Sequence, residues 1–263
     1  MLPPFVWILF AAALGLIVGS FLNVVVYRVP RGQSVVTPRS ACPWCGGAIG
    51  ARDNIPLLGY LLLRGRCRRC NAPIGWRYPA VEATVAGLFA LCVARFGPRP
   101  QALVAAVICA FLVALALIDV DHLMLPDSLT FPGMLIAFAL AVPAAFDHSI
   151  ALVGPLWSAL GMLCGAGFLF LVAEAWLWLR GEEGLGLGDA KMMAMIGAFL
   201  GWRGCVETMI YACFAGTAVG LVLLATGRAG RRTRLPFGVF LALGALGALF
   251  GGPAVLQPFL PFL

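Results

Sequence analysis

The chain has 263 residues, of which 62% are hydrophobic and only 11% are charged. This number of polar residues is too small to surround a water-soluble core of this size. The composition therefore excludes an ordinary soluble globular protein and indicates a membrane protein. The formal net charge is +7. Basic residues of membrane proteins gather in cytoplasmic loops beside anionic headgroups, so this charge does not call for a nucleic-acid partner.

Apolar runs follow one another along the chain, and most are long enough to cross a bilayer as a helix. They cover residues 5–26, 80–96, 101–118, 128–146, 151–179, 190–204, 205–226 and 236–256. The first run lacks the basic start and cleavage site of a signal peptide, so we expect it to remain as the first helix. The boundary near Gly201 is indistinct, which leaves seven spans as an alternative. The sequence predicts an all-α polytopic membrane protein with about eight transmembrane helices.

The distribution of Lys and Arg predicts how these helices are oriented. If the segment after the first helix lies inside, fifteen of the eighteen Lys and Arg residues are inside, and only Arg95, Arg99 and Arg203 are outside. The positive-inside rule then places the basic loop in the cytoplasm. The same alternation places residues 119–127 and 181–189 on the cytoplasmic side.

Residues 28–79 form the one segment with soluble character, and they contain two Cys-x-x-Cys pairs. Cys42 and Cys45 form the first pair, and Cys67 and Cys70 form the second. Each pair can chelate one edge of a tetrahedron, so the spacing predicts a structural zinc site with four cysteine ligands. The alternative is two disulfides, which a reducing cytoplasm disfavours.

Acidic residues stand at two helix ends that are predicted to share the cytoplasmic side. The run 101–118 is followed by Asp119, Asp121, His122 and Asp127. Asp189 follows glycines at positions 184, 186 and 188, which have no Cβ and so allow backbone and substrate to approach closely. Two carboxylates brought together cannot both ionise and would share a proton. An aspartic peptidase needs that state, because one carboxylate takes a proton from water while the other polarises the scissile carbonyl.

Structural roles compete with this interpretation. Asp127 is expected to cap the next helix, and Asp121 and His122 can be solvated among headgroups. Asp119 and Asp189 stand closest to their apolar runs and are the preferred pair, with Asp121 as the main alternative to Asp119. Three glutamates also lie in or near the spans, and spacing alone does not make them weaker candidates than these aspartates: Glu82, Glu174 and Glu207.

Five segments stand out in order along the chain: "GSFLNVVVYRVP" (19–30), the cysteine segment (42–82), "IDVDHLMLPD" (118–127), "GLGDAK" (186–191) and "RLPFGVFLALGAL" (234–246). Together they resemble the motifs of the type IV prepilin peptidases, a family of GxGD-type intramembrane aspartic peptidases that are also N-methyltransferases. The resemblance covers nearly the whole chain. It implies a first transmembrane helix (1–27), a cytoplasmic zinc-binding domain with four cysteine ligands (28–79) and a transmembrane peptidase domain (80–263).

Carried over by position, the catalytic aspartates of the family fall on Asp119 and Asp189. Substrate-supporting positions are expected at Gly186, Gly188, Lys191, Glu182 and Glu183. The two glutamates are candidates for recognising a basic leader.

The resemblance also implies substrates, a methyl donor and a location. The substrates would be prepilins or pseudopilins, cut after a Gly on the cytoplasmic face of the bacterial inner membrane, with lipids as further partners. S-adenosylmethionine would then methylate the new N-terminus. Two other classes compete, an ion-coupled transporter with carboxylates in its membrane helices and a zinc-loop docking subunit of a secretion or pilus machine.

Overall fold

The computed structural model describes residues 3–147, 149–181, 186–227 and 235–251. Within these ranges the regular structure is helical apart from two isolated β-bridges, which confirms the all-α fold class. The helices are α1 (Pro4–Arg28), α2 (Leu58–Leu62), α3 (Arg77–Phe96), α4 (Pro100–His122), α5 (Asp127–Ala141), α6 (Pro155–Arg180), α7 (Leu187–Ala225) and α8 (Phe237–Gly251).

Six of these helices are long and apolar enough to cross a membrane: α1, α3, α4, α5, α6 and α7. The apolar α8 is shorter, with 15 residues, and α2 is a five-residue turn within the cysteine-containing loop. The chain is therefore a multi-pass membrane protein.

Helix α7 is two helical segments that fold back on each other. Gly201 adopts φ 72° and ψ −178°, a conformation that does not continue a helix. Residues 12 apart in a straight helix lie about 18 Å apart along its axis. The Sγ of Cys205 nevertheless lies 4.0 Å from the carbonyl oxygen of Met193. The turn at Gly201 therefore separates the two runs predicted at 190–204 and 205–226, a few residues earlier than the sequence suggested.

The chain divides into two compact units, of which the first is Met1–Ala110. Its main packing is between α1 and α3, where small residues let the backbones approach. A Cβ on Gly15 would lie 2.6 Å from the Cα of Ala86, and one on Gly19 would lie 2.8 Å from the Cα of Glu82. Larger residues at Gly15 or Gly19 would therefore push the two helices apart.

The second unit is Phe111–Leu263, and in it α7 is the central element. Helix α6 contacts α7 through Gly161 and Gly165, and α8 contacts it through Gly244, which lies against the backbone of Thr208. The first segment of α7 is almost completely buried between its neighbours. This packing fixes the start of α7, where Asp189 lies.

Candidate active site and metal centre

Asp119 lies in the last turn of α4 and is only 5% exposed. The backbone N–H groups of Gly238 and Val239, in the first turn of α8, approach its carboxylate. The first N–H groups of a helix have no partner inside the helix and carry partial positive charge, so this helix start stabilises negative charge at Asp119. Its Oδ2 atom is buried and has no hydrogen-bond partner within the described parts of the chain.

Asp189 is the third residue of α7, and its carboxylate is close enough to that of Asp119 for their charges to repel each other. The N–H of Asp189 donates to the carbonyl oxygen of Gly186, 3.0 Å away, and the N–H of Gly186 approaches the Asp189 carboxylate. The fold thus brings together two aspartates that stand seventy residues apart in the sequence.

Glycines pack tightly around this pair. A Cβ on Gly188 would lie 3.1 Å from the Cβ of Leu125, and a Cβ on Gly238 would lie 2.8 Å from Asp119 Oδ2. Gly238 is a residue that sequence reasoning missed. Its position in the "RLPFGVF" motif was the available signal, but a lone glycine in an apolar helix does not reveal which side chain needs the space.

The other polar residues after α4 take different positions. Asp121 and His122 are exposed, whereas Asp119 is buried. Asp127 is the first residue of α5, and no side chain caps that helix, so the expectation that Asp127 is an N-cap is wrong. Its carboxylate instead accepts hydrogen bonds of 2.7 and 2.9 Å from the Nζ of Lys191. This ion pair links the start of α5 to the start of α7.

The remaining acidic candidates do not join the aspartate pair. Glu182 and Glu183 lie outside the described residues. Glu174 is exposed on α6, and Glu207 is buried in the second segment of α7. Glu82 is buried in the first unit, where its Oε2 accepts a hydrogen bond from the N–H of Leu57.

The four predicted metal ligands form one cluster, built from two copies of the same loop. In the first copy, Cys42 donates its N–H to the carbonyl oxygen of Gly47, and Gly46 adopts a left-handed conformation. In the second, Cys67 makes the same bond to Ala72, and Asn71 is left-handed. The sequence contains this repeat as "CPWCGGAIG" and "CRRCNAPIG". Gly and Asn are the residues that tolerate the turn after the second cysteine.

The cluster has the dimensions of a tetrahedral thiolate site. One sulfur from each of the four cysteines lies within 4.8 Å of the others, and the Sγ atoms of Cys42 and Cys70 are 3.8 Å apart. A Zn–S bond of about 2.3 Å gives a tetrahedral edge of about 3.8 Å. Cys42, Cys45, Cys67 and Cys70 can therefore hold one metal ion.

Local hydrogen bonds make the thiols unequal. The backbone N–H groups of Cys70 and Arg69 lower the pKa of Cys67 to about 6. The N–H of Ala72 acts to lower the pKa of Cys70, but desolvation and bonds with the other three thiols raise it to about 11. Cys67 is thus largely a thiolate at neutral pH, the form that binds a metal.

An ion pair braces the second loop. The guanidinium of Arg68 donates to both carboxylate oxygens of Asp53, with distances of 2.7 to 3.1 Å. The hydrogen bond from Arg68 holds the pKa of Asp53 below its usual value. Because Arg68 stands between Cys67 and Cys70, the pair fixes the second loop to the segment between the two loops.

Comparisons with known proteins identify the family of the chain. Residues 13–96 match the Bacterial Peptidase A24 N-terminal domain, and residues 106–221 match the Type IV leader peptidase family. A relative from Burkholderia pseudomallei, named Prepilin leader peptidase/N-methyltransferase, is 41% identical over 95% of this chain and 87% of its own length. The chain belongs to the type IV leader peptidase family.

Other members of this family carry the same name. The relative from Myxococcus xanthus is 48% identical over 85% of this chain and 65% of its own length. The relative from Pseudomonas aeruginosa is 36% identical over 98% of this chain and 95% of its own length. No solved structure matches the chain. The resemblance inferred from the five motifs is therefore confirmed.

Proposed function

We propose that this chain cleaves the leader peptides of prepilins or pseudopilins with Asp119 and Asp189 and then methylates the new N-terminal residue. The observation that carries the proposal is the closeness of the two carboxylates, one at the end of α4 and the other at the start of α7. The names of the family's members, which state both activities, support the choice of reaction.

The two aspartates would act as an acid and a base. The ionised carboxylate takes a proton from a water molecule as the water oxygen bonds to the scissile carbonyl carbon, and the protonated carboxyl donates to the carbonyl oxygen. When the tetrahedral intermediate collapses, the C–N bond breaks and a proton passes to the leaving nitrogen. The start of α8 would steady the charge of Asp119 throughout, because its N–H groups need no rearrangement.

Neighbouring residues would position this pair. The Lys191–Asp127 ion pair holds the start of α7 against α5, which fixes Asp189 on the rigid end of a helix. Gly186 would let substrate backbone approach Asp189, since it carries no side chain, and Gly188 would support the site by leaving room for Leu125 beside Asp189. The substrate would be a short basic leader that ends in Gly and precedes an apolar helix. Glu182 and Glu183, just before α7, have the charge to bind such a leader.

The direction of the chain in the membrane follows from charge. By the alternation of the spans, fifteen of the eighteen basic residues would lie on the side that contains the aspartates and the cysteine loop. We propose that this side faces the cytoplasm of a bacterial inner membrane, where the basic residues also meet anionic lipids.

The metal site would hold a structural zinc ion. Four thiolates complete the coordination of a tetrahedral zinc and leave no open position for a substrate. Because residues 28–79 contain few buried apolar side chains, zinc would supply much of the stability of this loop. S-adenosylmethionine, when bound, would supply the electrophilic methyl group for the second reaction.

The first experiment measures leader removal by intact-mass spectrometry, using the purified protein in detergent and a model prepilin. Asp119→Asn and Asp189→Asn are each expected to abolish cleavage, because neither variant retains an acid and base pair. Asp121→Asn is the matched control, since Asp121 is exposed on the same turn of α4, and it should cleave normally. Cleavage by the Asp119→Asn variant, or its loss in Asp121→Asn alone, would refute the assigned pair.

A further inference from the structure

The first unit contains a cavity of about 840 Å³ whose lining includes neither Asp119 nor Asp189. Its wall is formed by the end of α1, the metal-binding loop with α2, and the start of α3. Sites for small organic ligands have volumes of about 300 to 1,000 Å³ and combine apolar walls with a few polar groups. The volume of the cavity is therefore large enough for a nucleoside-sized ligand.

A buried carboxylate lines this cavity. Glu82 is 8% exposed, and its Oε2 accepts a 2.8 Å hydrogen bond from the N–H of Leu57. In the described part of the chain no Lys or Arg forms an ion pair with Glu82. The other acidic residue of the wall, Asp53, is bound by Arg68. A buried carboxylate without a cation is unfavourable, so the part of the cavity beside Glu82 favours a cationic group of a ligand.

Glu82 is also held in a fixed position. Gly19 of α1 lies directly against its backbone, where a Cβ would be 2.8 Å from the Cα of Glu82. The hydrogen bond from Leu57 fixes one end of the carboxylate from the opposite side. The charge is thus preorganised rather than mobile, which favours binding over solvation.

Aromatic side chains provide the rest of the recognition surface. Tyr27, Trp44, Tyr60 and Tyr78 all line the cavity, and the Trp44 ring is available to a ligand because it is 73% exposed. Flat rings bind a purine by stacking and attract a cation through their π faces.

The cavity wall also contains basic residues, which bear on the choice of ligand. Arg28, Arg68 and Arg69 line the wall. Arg28 already donates to the carbonyl oxygens of Ser34 and Pro38, and Arg68 to Asp53, so Arg69 is the one that can bind a ligand carboxylate. Together the three arginines repel a polybasic leader peptide. The ligand that suits the wall therefore carries a purine, a positive charge near Glu82 and a carboxylate.

We propose that this cavity is the methyl-donor site, with Glu82 facing the cationic groups of S-adenosylmethionine and Trp44 contacting its adenine. The inference rests on the methyltransferase half of the proposed function. In the transfer, the free N-terminal amine forms an N–C bond as the S–C bond breaks, the electron pair stays on sulfur, and the nitrogen then loses a proton.

The test measures binding rather than methylation. Sinefungin, a cationic analogue that cannot transfer its methyl-equivalent group, is titrated calorimetrically into the purified full-length protein without prepilin. Glu82→Gln and Trp44→Ala should each raise Kd by about tenfold or more, the first by removing the charge and the second by removing the stacking surface. The matched controls are Glu174→Gln and Trp178→Ala, which alter exposed residues of α6 outside the cavity, and they should stay within about twofold.

Three outcomes distinguish a wrong methyl-donor site from a wrong proposed function. Zinc content and thermal unfolding of each variant establish that the fold is intact, so weakened binding in a folded Glu82→Gln protein supports the site. Parent-like binding in both cavity variants overturns the site while leaving the methyltransferase intact. A parent protein that removes leaders but binds no sinefungin overturns both the site and the methyl-transfer half of the proposed function.

Discussion

Replacing Gly238 by Ala should impair leader cleavage without unfolding the protein. The added Cβ would lie 2.8 Å from Asp119 Oδ2 and 3.2 Å from Leu125 Cδ2. An ordinary van der Waals contact begins near 3.4 Å, so the Asp119 carboxylate must move by about 0.6 Å. That atom ends a flexible side chain, so the strain is relieved by moving the proposed catalytic group rather than the backbone.

The size of the effect follows from the geometry of catalysis. Misplacement of a reacting group by about 1 Å reduces a rate by about 100-fold, so a shift of about 0.6 Å should reduce kcat/KM for leader cleavage by about 10- to 100-fold. This corresponds to about 1.4 to 2.7 kcal/mol of transition-state stabilisation. The thermal unfolding temperature should change little.

The assay is the mass-spectrometric cleavage of a model prepilin over time, and Gly220→Ala is the matched control. Gly220 also lies in a helix of the second unit, but its Cβ would make only an ordinary 3.7 Å contact with Leu235. If Gly238→Ala cleaved as fast as the parent, the close contact between α8 and Asp119 would have no catalytic meaning. If both variants lost activity equally, a general effect on packing would replace the local one.

Three further predictions concern packing, the ion pair and the metal. Gly165→Leu should lower the free energy of unfolding by about 2 kcal/mol or more, because its Cβ would lie 2.7 Å from the backbone of α7. Gly167→Leu is the control, because its Cβ would meet open space and its free energy of unfolding should stay unchanged. Equal melting curves for the two variants would contradict this prediction. Lys191→Met should lower that free energy by under about 1 kcal/mol, since its pair with Asp127 is half-exposed, and a larger loss would indicate a buried role. Purified protein should contain about one zinc per chain. Its affinity for zinc should fall as the pH falls, and most steeply below about pH 6, where Cys67 takes up a proton. A metal content independent of pH would refute thiolate ligation.

The features that the sequence predicted well are local. Membrane helices follow from unbroken apolar runs, because every backbone group in a bilayer must find its partner within the same segment. The cysteine cluster follows from two Cys-x-x-Cys pairs, because each pair supplies half of a tetrahedron through the turn that joins its own residues. Even the left-handed residues Gly46 and Asn71 are visible in the sequence as the residue after the second cysteine of each pair.

Features that depend on distant contacts could not be read in this way. Nothing near Asp127 indicates that its partner is Lys191, so helix-capping preference gave the wrong role. The turn at Gly201 was indistinct, because the glycine interrupts an apolar stretch that is long enough for one tilted helix or two short ones. Packing of the second segment of α7 against the first stabilises two short helices over one tilted helix.

The sequence by itself determined that this chain is a multi-pass helical membrane protein with four cysteines spaced to hold a metal and two acidic motifs. Only the tertiary structure decided that Asp119 is buried, that Asp189 lies beside it and that the first turn of α8 faces Asp119. The reason is physical. Hydropathy and chelate spacing act along the chain, whereas two carboxylates are brought together by glycine-mediated packing of helices that the sequence keeps far apart.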